Sequence, residues 1–304
     1  FVKHYNKMTR QSGMTLIELT VVLLVLIGLA GLMIPYVSGF VSKTHDSTGS
    51  FNSAAMDSNI QRYQGEKMRL PNNLEALVEC SVPAGGAACD AAAASAIYTK
   101  MMAPGLLAPK VVGGAARMSL RMAGITDIYY NDASTDNATF RSTVALPTTY
   151  AATDLVAVVA PITAAAGSFP ADLTVEEHMA AAFERNINNF DSACYDYVVM
   201  GIGDKSDLIG STMNTAPVHF AQQGAMGPVN NYNRFVAVFQ VDKINASGTP
   251  NAPGGLAANT TGDCSTNIEP AKFLGAAMAM GASSGHLWGT SHSLAHTYEN
   301  IAAN

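Results

Sequence analysis

Hydrophobic and polar positions divide the chain into three regimes. From Leu19 to Val37 the residues are apolar almost without a break: Thr20 is the one hydroxyl before Tyr36, and no charge occurs. That length matches the ~20 residues an α-helix needs to cross a hydrocarbon core. From Ser38 to Lys67 the chain turns polar, and the spacing of Phe51, Ala55, Met56, Ile60 and Tyr63 predicts an amphipathic helix. Within it, "HDSTGS" at 45–50 is weak helix material. A helix running from Met14 to Lys67 would be about 80 Å long.

Residues 68–304 read as a globular head of short runs bounded by Gly, Pro, Asn or Asp. "TDIYYN" (126–131), "LVAVVA" (155–160), "YDYVVMGIG" (195–203) and "RFVAVFQVD" (234–242) predict strands. "VEEHMAAAFERNINNF" (175–190) predicts a helix with Met179, Ala182, Phe183 and Ile187 on one face. "DAAAASAIYTKMM" predicts another, followed by breaks at Pro104 and Pro109. The expected fold is α+β: a long N-terminal helix, membrane-spanning and then amphipathic, packed on an antiparallel sheet with inserted helices. The head is long enough for two subdomains, with a boundary near Val144–Thr153.

Lys3, Lys7 and Arg10 precede the apolar run, which places residues 1–13 in the cytoplasm and the rest outside. A secretory signal peptide would have a shorter apolar region and a small-x-small cleavage site, and "LAGLMIPYVSGF" offers no clean one. A plain anchor leaves Glu18 unexplained, because a carboxylate near the head of a spanning helix usually has a partner.

"SGMTLIELTVVLLVLIGLAGLMIP" resembles the prepilin-type signal of type IV pilins and type II secretion pseudopilins. The resemblance covers about 25 residues and implies several roles. A prepilin peptidase would cut after Gly13, and Met14 would become the N-methylated first residue, where the family usually has phenylalanine. Glu18 falls at the family's glutamate position and Pro35 at its proline position. Pro35 is expected to kink the helix, and Gly28, Ala30 and Gly31 to allow close approach of packed helices. Cleavage would create a charged α-amine on Met14, and pairing it with Glu18 of a neighbouring subunit would set the register of a helical stack. The weak "HDSTGS" is a candidate for a locally melted stretch in such a filament. Residues 1–13 would then be a leader, with initiation expected at Met8, which opens "MTRQSG". "RLPNNLEALVEC" resembles the segment after the long helix in major pseudopilins, which implies a proline turn leading into a short leucine-rich helix.

Composition sharpens this picture. Charged residues make up 13% of the 304, about half the usual share for a soluble protein. A net charge of −6 and scattered basic residues argue against nucleic-acid binding. Cys80, Cys89, Cys194 and Cys264 include no CxxC pair, so two disulfides are expected outside the cytoplasm. Of three connectivities we favour Cys80–Cys89, which closes a short loop, with Cys194–Cys264. "GIGDKSDLIG" is followed by no GK[ST], so it is not a phosphate loop, and no GxSxG occurs. Asp204 and Asp207 are candidate calcium ligands, given that major pseudopilins bind calcium in a C-terminal loop. A solvated surface turn is the favoured reading of both.

The expected function is therefore a non-catalytic subunit of a type IV pilus-like filament of a Gram-negative bacterium, serving adhesion or motility. A single-pass inner-membrane form would precede a cell-surface or periplasmic polymer. Its partners would be the prepilin peptidase, an inner-membrane assembly platform and identical or related subunits. A type II secretion pseudopilin is the nearest alternative, and a membrane-anchored enzyme borrowing the signal is the alternative of another class.

Overall fold

The computed structural model describes residues 16–80, 96–97, 107–111, 114–132, 142–145, 155–161, 173–183, 185–218, 232, 234–243 and 268–278; side chains at 32, 34–50, 79–80, 96–97, 111, 131–132, 142–145, 155, 181 and 278 are not among them. The chain divides into two units, Phe1–Thr48 and Gly49–Asn304. The described residues are α+β, with one nine-stranded sheet.

Helix α1 spans Leu16–Lys67. In the single chain it continues without interruption through Pro35 and through 45–50. Within the second unit Met56, Ile60 and Tyr63 recur at helical spacing and are buried in the core. The opposite face carries the exposed pair Arg62–Glu66 (2.8 Å). The helix ends where Met68 takes a left-handed conformation (φ 55°) and donates its N–H to Gln64 O, three residues before Pro71.

The segment after Pro71 forms strand β1 (Leu74–Cys80), not the short helix expected of "LEALV". Leu, Glu and Ala favour helices on their own, but here pairing wins. Asn72 explains how. Its side-chain oxygen accepts from the backbone N–H groups of Thr126 and Asp127, and its amide donates to the side chains of both. That clip starts β1 beside β4 (Asp127–Asp132) in parallel, with Leu74 opposite Ile128. The sheet is thus mixed, where a wholly antiparallel one was expected from sequence.

The remaining strands are β2 (Ala96–Ile97), β3 (Leu107–Val111), β5 (Ser142–Ala145), β6 (Leu155–Val159), β7 (Tyr195–Gly201), β8 (Phe235–Asp242) and β9 (Lys272–Met278). The Ala-rich helix expected over 90–102 is not formed at Ala96–Ile97, which pair with β1; its other residues lie outside the described set. Pro109, read as a break, lies inside β3. That strand ends the sheet order and pairs with β6, so the missing N–H costs no ladder bond on an interior strand. β5 and β6, on either side of 144–153, belong to the same sheet.

Strand β7 is the hub. Val198 and Val199 pair with β6 on one edge and with β8 on the other, and Gly201 meets β1 on the edge it shares with β6. Continuous burial from Tyr197 to Gly201 and from Phe235 to Phe239 reflects this central place.

Two helices complete the second unit. Helix α2 (Gly114–Met122) ends in a Schellman motif, with Gly124 (φ 99°) donating to Arg121 O and Ile125 to Leu120 O. Helix α3 (Val175–Phe183) opens with a capping box: Thr174 N–H donates to Glu177 Oε2, and Glu177 N–H to Thr174 Oγ1. It is shorter than the 175–190 expected. The Asn186 side chain captures Asn188 N–H and starts a separate 3-10 turn, Ile187–Asn189, which leaves Ile187 exposed. Met179 is buried, as its helical face requires.

Candidate functional site

In the first unit, Glu18 lies in the first turn of α1, where a carboxylate is favoured by the positive end of the helix dipole. Every large apolar side chain from Leu16 to Leu29 is 47% to 79% exposed. The apolar surface therefore runs all round the helix and is not confined to one stripe. Thr20, the one hydroxyl in that stretch, donates to Ile17 O and so presents no unmet polar group. A Cβ placed on Gly28 or Gly31 would meet nothing within 4 Å. Among the described residues no helix is long and apolar enough to cross a membrane. Side chains there are described unbroken only from Leu16 to Gly31, short of the ~20 residues a span needs. Gly13, Met14 and the Pro35 side chain lie outside the described residues.

In the second unit the two candidate calcium ligands serve different partners. Asp207 Oδ2 accepts from Tyr63 Oη (3.2 Å) and Arg69 Nη2 (3.0 Å), and its Oδ1 accepts from Asn73 Nδ2 (2.9 Å). Its own N–H donates to Asn72 O. Asp207 thus ties the turn after β7 to the end of α1 and to the lead-in of β1, with both oxygens engaged. Asp204 is half exposed and faces Arg234 Nη1 at 3.7 Å. Among the described residues no group of three or more His, Cys, Asp or Glu side chains is placed to hold a metal ion.

Sequence reading passed over the centre of the unit, Glu75. Its neighbours two residues away, Asn73 (φ 59°) and Leu77 (φ 57°), both take the left-handed conformation. For leucine that strain costs about 1–3 kcal/mol, and the β1–β4 register shifts between Glu75 and Glu79. The side chain enters a slot kept open by two glycines. A Cβ on Gly203 would stand 1.8 Å from Glu75 Oε1, and one on Gly201 would stand 1.8 Å from Tyr232 Oη. Tyr232 Oη donates to Glu75 Oε2 at 2.5 Å. Arg234 Nη1 lies 3.7 Å from Glu75 Oε1, the same distance as from Asp204. Glu75 is only 3% exposed. Burial pushes its carboxyl above the usual range, against the Arg234 charge and the Tyr232 hydrogen bond.

The folded state therefore holds the Glu75 proton more tightly than the unfolded chain does. This contribution to stability is full below the ordinary pKa of ~4.3 and is lost as pH rises through the raised value. Glu75→Gln should accordingly gain stability relative to wild type as pH climbs from about 4 to about 8, measured by urea denaturation. A difference that stays flat across that range would exclude Glu75 as a titrating group.

Cys194 is disulfide-bonded. The side chains of Cys80, Cys89 and Cys264 lie outside the described residues, so the expected pairing is not visible there. The Asp191 carboxylate holds the turn before β7 by accepting from Ala193 and Cys194 N–H, and Lys243 N–H donates to Cys194 O. Cys194 is thereby anchored between the start of β7 and the end of β8.

Comparison with family models, curated proteins and solved structures finds no match for this chain.

Proposed function

We propose that the chain is a structural subunit of a type IV pilus-like filament, held in the inner membrane by its N-terminal helix and then polymerised through it. The observation that carries this reading is the combination, in one element, of Glu18 in the first turn with an apolar surface on every side of the helix. A surface of that kind has to be covered, either by lipid or by other helices. The "SGMTLIE" stretch supplies the rest: a cleavage point after Gly13 and a new amine on Met14 as the partner for Glu18 of the next copy. The apolar helix then has two successive surroundings, first lipid and then its sister helices. The prepilin peptidase and an inner-membrane assembly platform are the partners this route requires.

A type II secretion pseudopilin rests on the same N-terminal argument. What favoured it specifically was the helix expected of "LPNNLEALV", and that segment is strand β1, so the pilus reading is preferred. An anchored enzyme borrowing the signal is the alternative of another class, and a clustered acid–base pair or metal site in a deep pocket would favour it.

Gly13→Val, which removes the cleavage point, is the direct test. The variant should accumulate uncleaved in the inner membrane and give no filaments, as read by immunoblot of fractionated cells and by electron microscopy. Wild-type filament yield from the uncleaved variant would overturn the reading.

A further inference from the structure

Two side chains near the start of α3 tie that helix to other parts of the second unit. Glu176 Oε1 accepts from the Ser192 N–H at 2.7 Å, in the turn before β7. His178 is fully buried, and its Nδ1 stands 2.9 Å from Ala160 O at the end of β6. Facing a carbonyl, Nδ1 carries the proton of the neutral ring. A second proton must therefore go to Nε2, which is buried as well. The sheet is held differently, by backbone ladders such as Tyr195–Gly201 of β7 against Val236–Asp242 of β8. Backbone amides do not titrate in this range, whereas both anchors of α3 do.

Acid acts on the two anchors in the same direction. Burial pushes the His178 imidazole down to about 4, against the Ala160 hydrogen bond, which favours the charged ring. Burial raises Glu176 too, but the hydrogen bonds it accepts, from Ser192 first, outweigh that and hold its carboxyl below the usual range. An undocked α3 returns His178 to water, where its pKa is ~6.5. The docked state thus binds fewer protons. Its stability is full above ~6.5 and is lost as pH falls towards about 4. Glu176 adds a second loss below its ordinary ~4.3.

The surrounding charges do not reverse this. From Leu155 to Val159, β6 offers no ionisable side chain. Glu177 accepts from the backbone in the helix's own cap, and Asp191 accepts from Ala193 and Cys194 N–H. Tyr197 faces Glu176 and Asp191 from β7 and is neutral in acid. Lys243 donates to Ser192 O, and Arg185, beyond the far end of α3, donates to Leu274 O and acts on Asp57. Both remain cations in acid and offer nothing to a charged His178.

We propose that α3 is an acid-released latch: protonation of His178 and Glu176 undocks it as one unit while the sheet stays paired. Opening brings Met179 and Ala180 out of the core and lifts the Phe183 ring from Gly275. The latch lies wholly in the second unit and does not depend on how the N-terminal helix is used. A failure of the filament reading would leave it standing, and the reverse also holds.

The test is amide hydrogen exchange of the full chain in detergent, read peptide by peptide by mass spectrometry. Results are expressed as protection factors, which remove the pH dependence of the chemical exchange step. From pH 7 to pH 5 protection across 175–183 should fall by about tenfold or more, as the His178 linkage requires. Protection of β7 and β8 should change by less than about threefold. An equal fall in both would mean that the whole unit unfolds, and no fall in α3 would mean that its anchors do not titrate. Either result rules the latch out. His178→Asn keeps an N–H for Ala160 O and loses the titration, so α3 should hold its protection from pH 7 to pH 5. A fall that persists in this variant would place the trigger elsewhere and overturn the proposal. Should the variant not fold, exchange of the His178 ring C2–H in wild type reads the imidazole directly. A midpoint well below ~6.5 is expected, and an ordinary midpoint beside a fully protected α3 refutes the latch. Glu176→Gln should keep the change between pH 7 and pH 5 and lessen the further loss below ~4.3. An undiminished loss there would remove Glu176 from the device.

Discussion

Gly203→Ala is expected to destabilise the second unit by about 1–3 kcal/mol, the cost of forcing a methyl group into a filled interior. A methyl group at this position would stand 1.8 Å from Glu75 Oε1 and 2.4 Å from its carboxyl carbon. Neither distance can be accommodated without moving the carboxylate. Glu75 has little room to retreat, because it is itself buried and Tyr232 already holds Oε2. The displaced group would leave Arg234 with Asp204 as its remaining carboxylate. The midpoint of urea unfolding, followed by circular dichroism, measures the effect. A loss below about 1 kcal/mol would mean that the glycine slot does not constrain Glu75. Gly28→Ala is the matched control, since a Cβ there meets nothing within 4 Å.

Glu18→Ala is expected to abolish or severely reduce filament assembly while leaving membrane insertion intact. Removing a carboxylate from an apolar helix eases insertion, because a charge near the hydrocarbon costs up to ~3 kcal/mol. The same change deletes one half of the proposed pairing with the Met14 amine. That amine would then enter a low-dielectric bundle without a partner, and an uncompensated buried charge is strongly destabilising. Membrane fractionation and filament counts by electron microscopy separate the two outcomes. Normal filaments from Glu18→Ala would refute the pairing, even if cleavage at Gly13 proved essential. Glu18→Gln keeps the size and loses the charge, so it should follow the alanine variant if charge is what matters.

Strong local patterns were legible in the sequence. The strands at 126–131, 155–160, 195–203 and 234–242 recur as β4, β6, β7 and β8, because β-branched and aromatic runs between turn residues have few other ways to be buried. The amphipathic spacing of Met56, Ile60 and Tyr63 likewise appears as a buried stripe, while Phe51, expected on the same face, is exposed. The Schellman end of α2 was also written in the chain, as "LRMAGI", though sequence reading did not take it up. Weak or misleading patterns failed for identifiable reasons. "LEALV" has helical propensity, and Asn72 and β4 overrode it with a parallel register. "NINNF" looked like the tail of α3, and an asparagine side chain captured the backbone first.

By itself the sequence determined the features that depend on neighbouring residues. These are the apolar N-terminal run, the lone carboxylate at its head, the processing signal it resembles and the strand-forming character of most of the sheet. Tertiary structure alone decided what depends on distant residues meeting. It turned the "GIG" of 201–203, first weighed as a phosphate loop, into a slot for a carboxylate more than a hundred residues away. It made Asp207 a tie for the end of α1, and it brought Asp57 of α1 to the Ala276 N–H of β9. The physical reason is the same each time. A hydrogen-bond partner or a steric gap is a property of two surfaces, and local sequence describes only one of them.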